Sequence, residues 1–144
     1  MTRFHDWQGR LEAFLSRNQF RSFHYGRWDC CLFVCDAIEV MTGVDPAAVF
    51  RGTYSSRVEA RRAVRAYGGT SVQAVVEVIT AQYGMPEAAS VMHARRGDVA
   101  LIKRNRGRDF SLGLVALNGR EVVLASSMGL WRMPVETAIR AWHV

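Results

Sequence analysis

The sequence has few cysteines, and those that it has lie close together. All three fall within the six residues from Cys30 to Cys35, with none elsewhere in the chain. Small secreted domains that depend on disulfides distribute an even number of cysteines along their length. This pattern excludes a disulfide framework as the basis of the fold.

Long apolar runs are also missing. No segment approaches the roughly 18 consecutive apolar residues of a membrane-spanning helix. The opening segment, MTRFHDWQGRLEAFLSRNQF, alternates charged and apolar side chains and lacks the apolar core of a signal peptide. We therefore expect a protein that has no membrane span and no signal peptide and is synthesised in a cytoplasm.

Lysine is nearly absent, since Lys103 is the single lysine beside 18 arginines. The formal net charge of +6 favours anionic partners such as nucleic acid or a cell-wall polymer. The arginine-rich segment EARRAVR occurs without a recognised nucleic-acid-binding module or stacking motif. A solvated helix face explains these arginines as well, so the sequence does not favour nucleic acid as the partner.

The chain has the size and composition of one compact domain. Its 144 residues, 49% of them hydrophobic, can form one substantial core. We find no internal repeat and no low-complexity segment. A single domain over residues 1–144 is therefore expected.

Helical patterns dominate the first half of the chain. A first amphipathic helix is predicted with Asp6 as its N-cap. Its apolar positions, at the spacing of one helix face, are Trp7, Leu11, Phe14 and Leu15. The run DCCLFVCDAIEVMTG predicts a buried central helix, capped by Asp29 at its start and ended by Gly43.

Capping signals predict further elements after the central helix. The Asp-Pro pair in VDPAAVFRG indicates a short helix or turn. The segments SSRVEARRAVRAYGG and TSVQAVVEVITAQYG predict two more helices. Each begins with a capping box, Ser56 with Glu59 in the first and Thr70 with Gln73 in the second.

Beyond Pro86 the pattern changes to short strands. The runs GDVALIKR, FSLGLVAL and REVVLASS are β-branched or alternating, and Asn118-Gly119 is a hairpin signal between the last two. The run GLWRMP is compatible with a fourth strand, and Pro134 predicts the start of a final helix, PVETAIRAW. Helices followed by an antiparallel meander predict an α+β domain.

The segment YGRWDCCLFVCDA poses the question of what its cysteines do. A zinc site needs four ligands, and the spacing Cys-Cys-x-x-x-Cys without a second cluster does not supply them, so we predict no metal and no cofactor. Cys31 and Cys35 share one helical face and are interpreted as reduced, buried core residues. Cys30 lies in the first helical turn, where backbone N–H groups favour a thiolate, and is a candidate nucleophile or a core residue.

Together these motifs resemble those of the NlpC-type cell-wall peptidases, papain-like enzymes that cut the peptide stems of peptidoglycan. The segments that carry the resemblance are YG..DCCLFV, RRGDVALI and SLGLV. The chain is still more similar to a branch of this group encoded in bacteriophage and prophage tail-gene clusters. The motifs of that branch fall on Tyr25-Gly26, Asp29 to Phe33, Gly43 to Pro46 and Phe50 to Tyr54. This resemblance implies a papain-like, NlpC-type α+β fold with N-terminal helices packed on a C-terminal antiparallel sheet.

The resemblance also assigns site residues. It implies Cys30 as the nucleophile, with Asp29 before it and Tyr25 lining the site. The histidine base of the family falls on Ser111, and the polar residue that orients this base falls on Leu124. Neither side chain can do those tasks, because a cysteine protease needs an imidazolium beside its thiolate and a proton for the leaving amine.

Two histidines are considered as substitute bases. His24 lies in the loop before Cys30 and is the nearest in sequence, and His93, just before the Gly-Asp strand, comes next. The alternative for each is an ordinary surface or loop histidine. The candidate catalytic set is therefore Cys30, Tyr25 and His24.

Two functions follow from the resemblance. The first is a structural or degenerate peptidase domain in a phage tail tip or baseplate, with the other tail-tip proteins as its partners. The second is an active cysteine peptidase that cuts peptidoglycan stem peptides during genome delivery. Both place the protein in the virion tail tip after synthesis in the host cytoplasm. A free-standing basic binding protein is a third possibility.

Overall fold

The computed structural model describes residues 1–67, 69–104 and 109–144. Its helices are α1 Trp7–Arg17, α2 Cys30–Thr42, α3 Arg57–Ala66 and α4 Val72–Gln82. Its strands are β1 Val99–Arg104, β2 Asp109–Val115, β3 Glu121–Ser126, β4 Gly129–Pro134 and β5 Ala138–Trp142. Helices followed by a fully antiparallel sheet confirm the α+β class. Within the described residues, no helix has the length and apolar character needed to cross a membrane.

The central helix α2 forms as its sequence predicts. The Asp29 carboxylate accepts hydrogen bonds from the backbone N–H groups of Cys31 and Leu32, at 3.1 and 3.0 Å. Gly43 ends the helix in the left-handed conformation, with φ of 78°. The apolar side chains of α2 lie at the centre of the core, between α1 and the strands β2 and β3.

The sheet has the strand order β4-β3-β2-β1-β5 and is covered on both faces. Since side chains alternate along a strand, each strand contributes to two clusters. The cluster shared with the helices contains Val99, Leu101, Leu112, Leu114, Val123 and Ala125. The cluster on the opposite face contains Ala100, Ile102, Val115, Val122, Leu124, Val135 and Ala138. The predicted turn at Asn118-Gly119 joins β2 to β3, and Gly119 has φ of 70°.

The predicted final helix over PVETAIRAW is wrong. Val135–Thr137 form one short 3₁₀ turn, and Ala138–Trp142 form strand β5. β5 pairs with β1, which places Trp142 opposite Val99. The free backbone groups of β1 need partners, whereas a nine-residue helix would be marginal without tertiary contacts. Pairing across the sheet therefore overrides the helical pattern.

Two predicted helix caps also differ from the structure. The side chain that caps α4 belongs to Ser71 and not to Thr70, and it accepts a hydrogen bond from the Ala74 N–H at 3.3 Å. Asp6 holds the N-cap position of α1, but its carboxylate pairs with Arg10 at 2.8 Å. Thr70 and Ser71 offer two adjacent hydroxyls for one cap of α4, and Arg10 competes with the backbone of α1 for the Asp6 carboxylate. Local geometry therefore decides which side chain caps each helix.

We expect Gly113→Ala to destabilise the protein by about 1–3 kcal/mol, because β2 and β3 would have to separate to admit a methyl group. A Cβ at Gly113 would collide with the Val122 side chain and lie 2.7 Å from the Val123 carbonyl oxygen. Urea denaturation measures the change. The control is Gly9→Ala in α1, where nothing lies within 4 Å of the added carbon. This variant should gain about 0.5–1 kcal/mol, and equal effects at both glycines would contradict the packing argument.

Candidate functional site

Cys30 is the first residue of α2, and its half-buried thiol faces strand β2. The Ser111 hydroxyl and the Leu112 backbone amide are close enough to lower the pKa of this thiol. Both residues lie in the first part of β2, before Leu114 and Val115, the two residues that pair with β3. The structure therefore has Cys30 near Ser111, the residue on which the resemblance places the histidine.

Hydrogen bonds lower the pKa of the Cys30 thiol. The largest effect comes from the Cys31 side chain, and the Leu112 amide and the Ser111 hydroxyl act in the same direction. Burial and the nearby Asp29 carboxylate oppose them, because both disfavour a thiolate. The net direction is a lowered pKa, which fits a thiol at the start of a helix.

The other two cysteines differ in exposure. Cys35 is buried, as predicted, and burial raises the pKa of its thiol. Cys31 was predicted to be buried, and the structure shows it half-buried and packed against the core. Its position beside Cys30 at the helix start leaves it less covered than the middle of α2. Its hydrogen bond with Cys30 and its burial raise the pKa of the Cys31 thiol. All three cysteines are free thiols.

None of the hydrogen bonds that the structure describes connects a histidine to Cys30. His24 is exposed, and its Nδ1 lies 3.1 Å from the Ser22 carbonyl oxygen. The ring of His93 is bonded to Ser90 at 3.2 Å. His143 lies 2.7 Å from the Asp98 carboxylate, and His5 is exposed near the start of the chain. The structure thus brings Cys30 and Ser111 together without joining His24 to them.

Tyr25 lies in the turn that leads to Cys30. Its half-buried ring packs edge-on against Phe23, with ring centroids 4.9 Å apart. The next residue, Gly26, has φ of 74°, and its N–H donates to Asp29 at 3.0 Å. A Cβ at Gly26 would collide with the Tyr54 carbonyl oxygen, so this turn requires glycine.

Leu124 is a core residue. It lies on β3 in the cluster on the sheet face opposite the helices. This placement gives it a packing role. No cluster of three His, Cys, Asp or Glu side chains in residues 1–67, 69–104 and 109–144 could hold a metal ion.

Sequence reasoning missed the role of Tyr54. Its hydroxyl donates a 2.6 Å hydrogen bond to the buried Asp29 carboxylate, across 25 residues of sequence. Burial and the nearby Asp29 carboxylate raise the pKa of Tyr54, so its hydroxyl stays protonated. The Phe-Arg-Gly-x-Tyr motif contained this residue, but nothing local to it indicated the contact with Asp29.

Arg51 of the same motif also binds the central helix. Its guanidinium pairs with Asp36 of α2 at 2.7 Å and with Asp45 at 2.9 Å. Hydrogen bonding to Asp45 raises the pKa of Arg51, and Arg51 in turn lowers the pKa of Asp45. The motifs that carry the family resemblance therefore support the helix that begins with Cys30.

The Gly-Asp motif before β1 has a structural role. Asp98 is fully buried, and its carboxylate pairs with Arg3 at 2.8 Å and with His143 at 2.7 Å. It also accepts hydrogen bonds from the N–H groups of Arg95 and Val144, at 2.7 and 3.3 Å. Asp98 thus connects residues near both ends of the described chain to the first strand of the sheet.

The chain belongs to a family described as Domain of unknown function (DUF6950), whose model matches residues 2–144. A search of the curated proteins finds no match. The family match covers both the N-terminal helices and the sheet. The arrangement of Cys30, Asp29 and Ser111 therefore lies within the matched region.

We expect Cys30 to be the cysteine that iodoacetamide alkylates first, because a lowered pKa gives it the largest thiolate fraction near neutral pH. Cys31→Ala removes the main hydrogen bond and should raise the pKa of Cys30. Each unit of increase would lower the thiolate fraction about tenfold at a pH below the pKa and slow alkylation about threefold, because the more basic thiolate is the stronger nucleophile. Mass spectrometry of labelled peptides over a range of pH measures this.

Cys31→Ser is the matched control, since its hydroxyl can still donate to the Cys30 sulfur. Its pH profile should stay close to that of the unmodified protein. Preferential labelling of Cys31 or Cys35, or an unchanged profile in Cys31→Ala, would contradict this description of the site.

Tyr54→Phe should reduce the free energy of unfolding by about 1.5–3 kcal/mol, because the buried Asp29 carboxylate loses a hydrogen-bond donor. Chemical denaturation monitored by circular dichroism measures the loss. Tyr83→Phe is the control, since the Tyr83 hydroxyl has no hydrogen bond within the described part of the chain. Equal losses in the two variants would contradict the expectation that the hydrogen bond from Tyr54 to Asp29 stabilises the fold.

Proposed function

We propose that this chain is a papain-like, NlpC-type domain that has lost the base of a cysteine peptidase and serves as a structural component of a phage tail tip or baseplate. The observation that carries the proposal is that the Ser111 hydroxyl acts on the Cys30 thiol, while no histidine in the described residues is hydrogen-bonded to it. An active NlpC-type peptidase would need a histidine imidazole at the position of Ser111.

The chemistry of peptide cleavage explains why this observation is decisive. Attack by a thiolate on an amide produces a leaving amine, which must receive a proton before it departs. A serine hydroxyl can donate a hydrogen bond to the thiol, but it cannot hold a positive charge beside a thiolate. Proton transfer by a placed side chain is typically worth about 10²–10⁴-fold in rate. Cys30 has no such partner among the hydrogen bonds described above.

The arrangement of elements supports the papain-like part of the proposal. The cysteine begins a buried helix, and that helix packs on an antiparallel sheet formed by the second half of the chain. The resemblance aligns Ser111 with the family's histidine, and the effect of the Ser111 hydroxyl on the Cys30 thiol supports that alignment.

Exposed apolar side chains support a role in an assembly. Phe20, Met128 and Trp131 are 83%, 87% and 61% exposed. They lie near one another, because Gly129 of β4 sits against the Phe20 backbone and follows Met128 directly. β4 is also an edge strand, and its outer side pairs with no strand in the described residues. Such a surface would be covered by a neighbouring tail-tip subunit, since exposed apolar edges are an aggregation hazard.

The second candidate is an active cysteine peptidase acting on peptidoglycan stem peptides. The lowered pKa of Cys30 and its position at a helix start favour this candidate. It requires a base from elsewhere, either His24 or His93 after a rearrangement, or a group from a partner. The experiment below distinguishes the two candidates.

We expect neither the purified protein nor assembled particles to release stem-peptide fragments from peptidoglycan in a way that depends on Cys30. Cys30→Ala should instead alter stability or assembly, because the thiol is a half-buried contact of the helix start. Chromatography of soluble fragments with mass spectrometry measures the release, with an active cell-wall peptidase as the positive control.

Release that Cys30→Ala abolishes would overturn the structural role and favour the peptidase. Proteomic analysis of purified particles tests the other half of the proposal. The protein should be present at a fixed ratio to the known tail proteins. Its absence from intact particles would contradict a role as a tail component.

A further inference from the structure

An open cleft of about 540 Å³ lies away from Cys30, at the other end of α2. The backbone N–H of Phe4 donates to the Met41 carbonyl oxygen near the end of this helix, and the neighbouring Arg3 lines the cleft. α2 has 13 residues, so its two ends are about 18 Å apart at the helical rise per residue. The cleft is therefore separate from the thiol site.

Three arginines line the cleft, namely Arg3, Arg95 and Arg96. Arg3 pairs with Asp98, which is the only carboxylate it contacts within the described residues. Arg95 and Arg96 form no ion pair in that part of the chain. Asp98 is already occupied by the four contacts described above. Within residues 1–67, 69–104 and 109–144, two positive charges at the cleft are thus without a counterion.

Arg3 adds a second, independent observation. Its Nε atom is buried and has no hydrogen-bond partner among the described residues. Burial lowers the pKa of Arg3, and the charge of the neighbouring Arg95 acts in the same direction. A negatively charged group in the cleft would relieve this repulsion between like charges.

The walls of the cleft restrict the kind of ligand. Trp7 and Leu117 supply apolar surface. The face of the Trp7 ring is occupied by Arg3, whose guanidinium carbon lies 4.4 Å from the ring centroid. This arrangement leaves that ring face unavailable for stacking by a base. The recognition chemistry at the cleft is that of guanidinium groups for planar or tetrahedral oxyanions.

We propose that this cleft is a binding site for an oxyanion group, phosphate or carboxylate, held by Arg95 and Arg96 with Arg3 behind them. The volume is within the range of about 300–1,000 Å³ that is usual for ligand sites. The cleft therefore has room for more than one oxyanion group of the same ligand. The proposal does not depend on whether Cys30 is catalytic.

Calorimetric titration with pyrophosphate and, separately, with succinate tests the site and distinguishes the two oxyanions. We expect at least one of them to bind the intact protein. Arg95→Gln/Arg96→Gln should weaken that binding about tenfold or more, because two charge-assisted contacts are lost. Arg95→Lys/Arg96→Lys keeps the charge and should retain part of the affinity.

The matched control is Arg61→Gln/Arg62→Gln on α3, which removes the same charge at exposed positions outside the cleft. Its affinity should equal that of the unmodified protein. Thermal unfolding checks that each variant remains folded. Failure of both anions to bind, or equal weakening in the two glutamine variants, would overturn the proposal.

Discussion

The buried carboxylate of Asp29 is the interaction on which the region around the thiol depends. It accepts hydrogen bonds from the N–H groups of Gly26, Cys31 and Leu32 and from the Tyr54 hydroxyl. A buried charge is costly unless several donors satisfy it, and the start of a helix adds a favourable dipole. The Tyr-Gly turn, the Asp-Cys pair and the distant tyrosine are therefore one structural unit, and that unit fixes where the sulfur lies.

Local signals allowed much of the fold to be predicted. The caps of α2 at Asp29 and Gly43 and the strand patterns after Pro86 depend on neighbouring residues alone, and the structure has them where the sequence predicts them. Strand β5 could not be predicted in this way, because the partner that makes it a strand is β1, about forty residues earlier. The choice of Ser71 over Thr70 depended on backbone geometry that two adjacent hydroxyls do not reveal.

The candidate site also combines features that local sequence predicts with features that it does not. The position of Cys30 at a helix start was a local inference, whereas Ser111 was singled out only by the resemblance and not by any local pattern. The bond from Tyr54 to Asp29 and the pairs formed by Arg51 join segments that are distant in sequence, and no pattern within either segment specifies the partner. Long-range polar contacts of this kind require the folded chain.

The buried Asp98 carboxylate links the effects of truncating the described chain at its two ends. Arg3 near the start and the pair His143 and Val144 at the end of the described residues all contact this one group. Removing a few residues from either side would leave the same charge short of partners. Shortening the two ends should therefore act on one shared interaction, so that the combined loss differs from the sum of the separate losses.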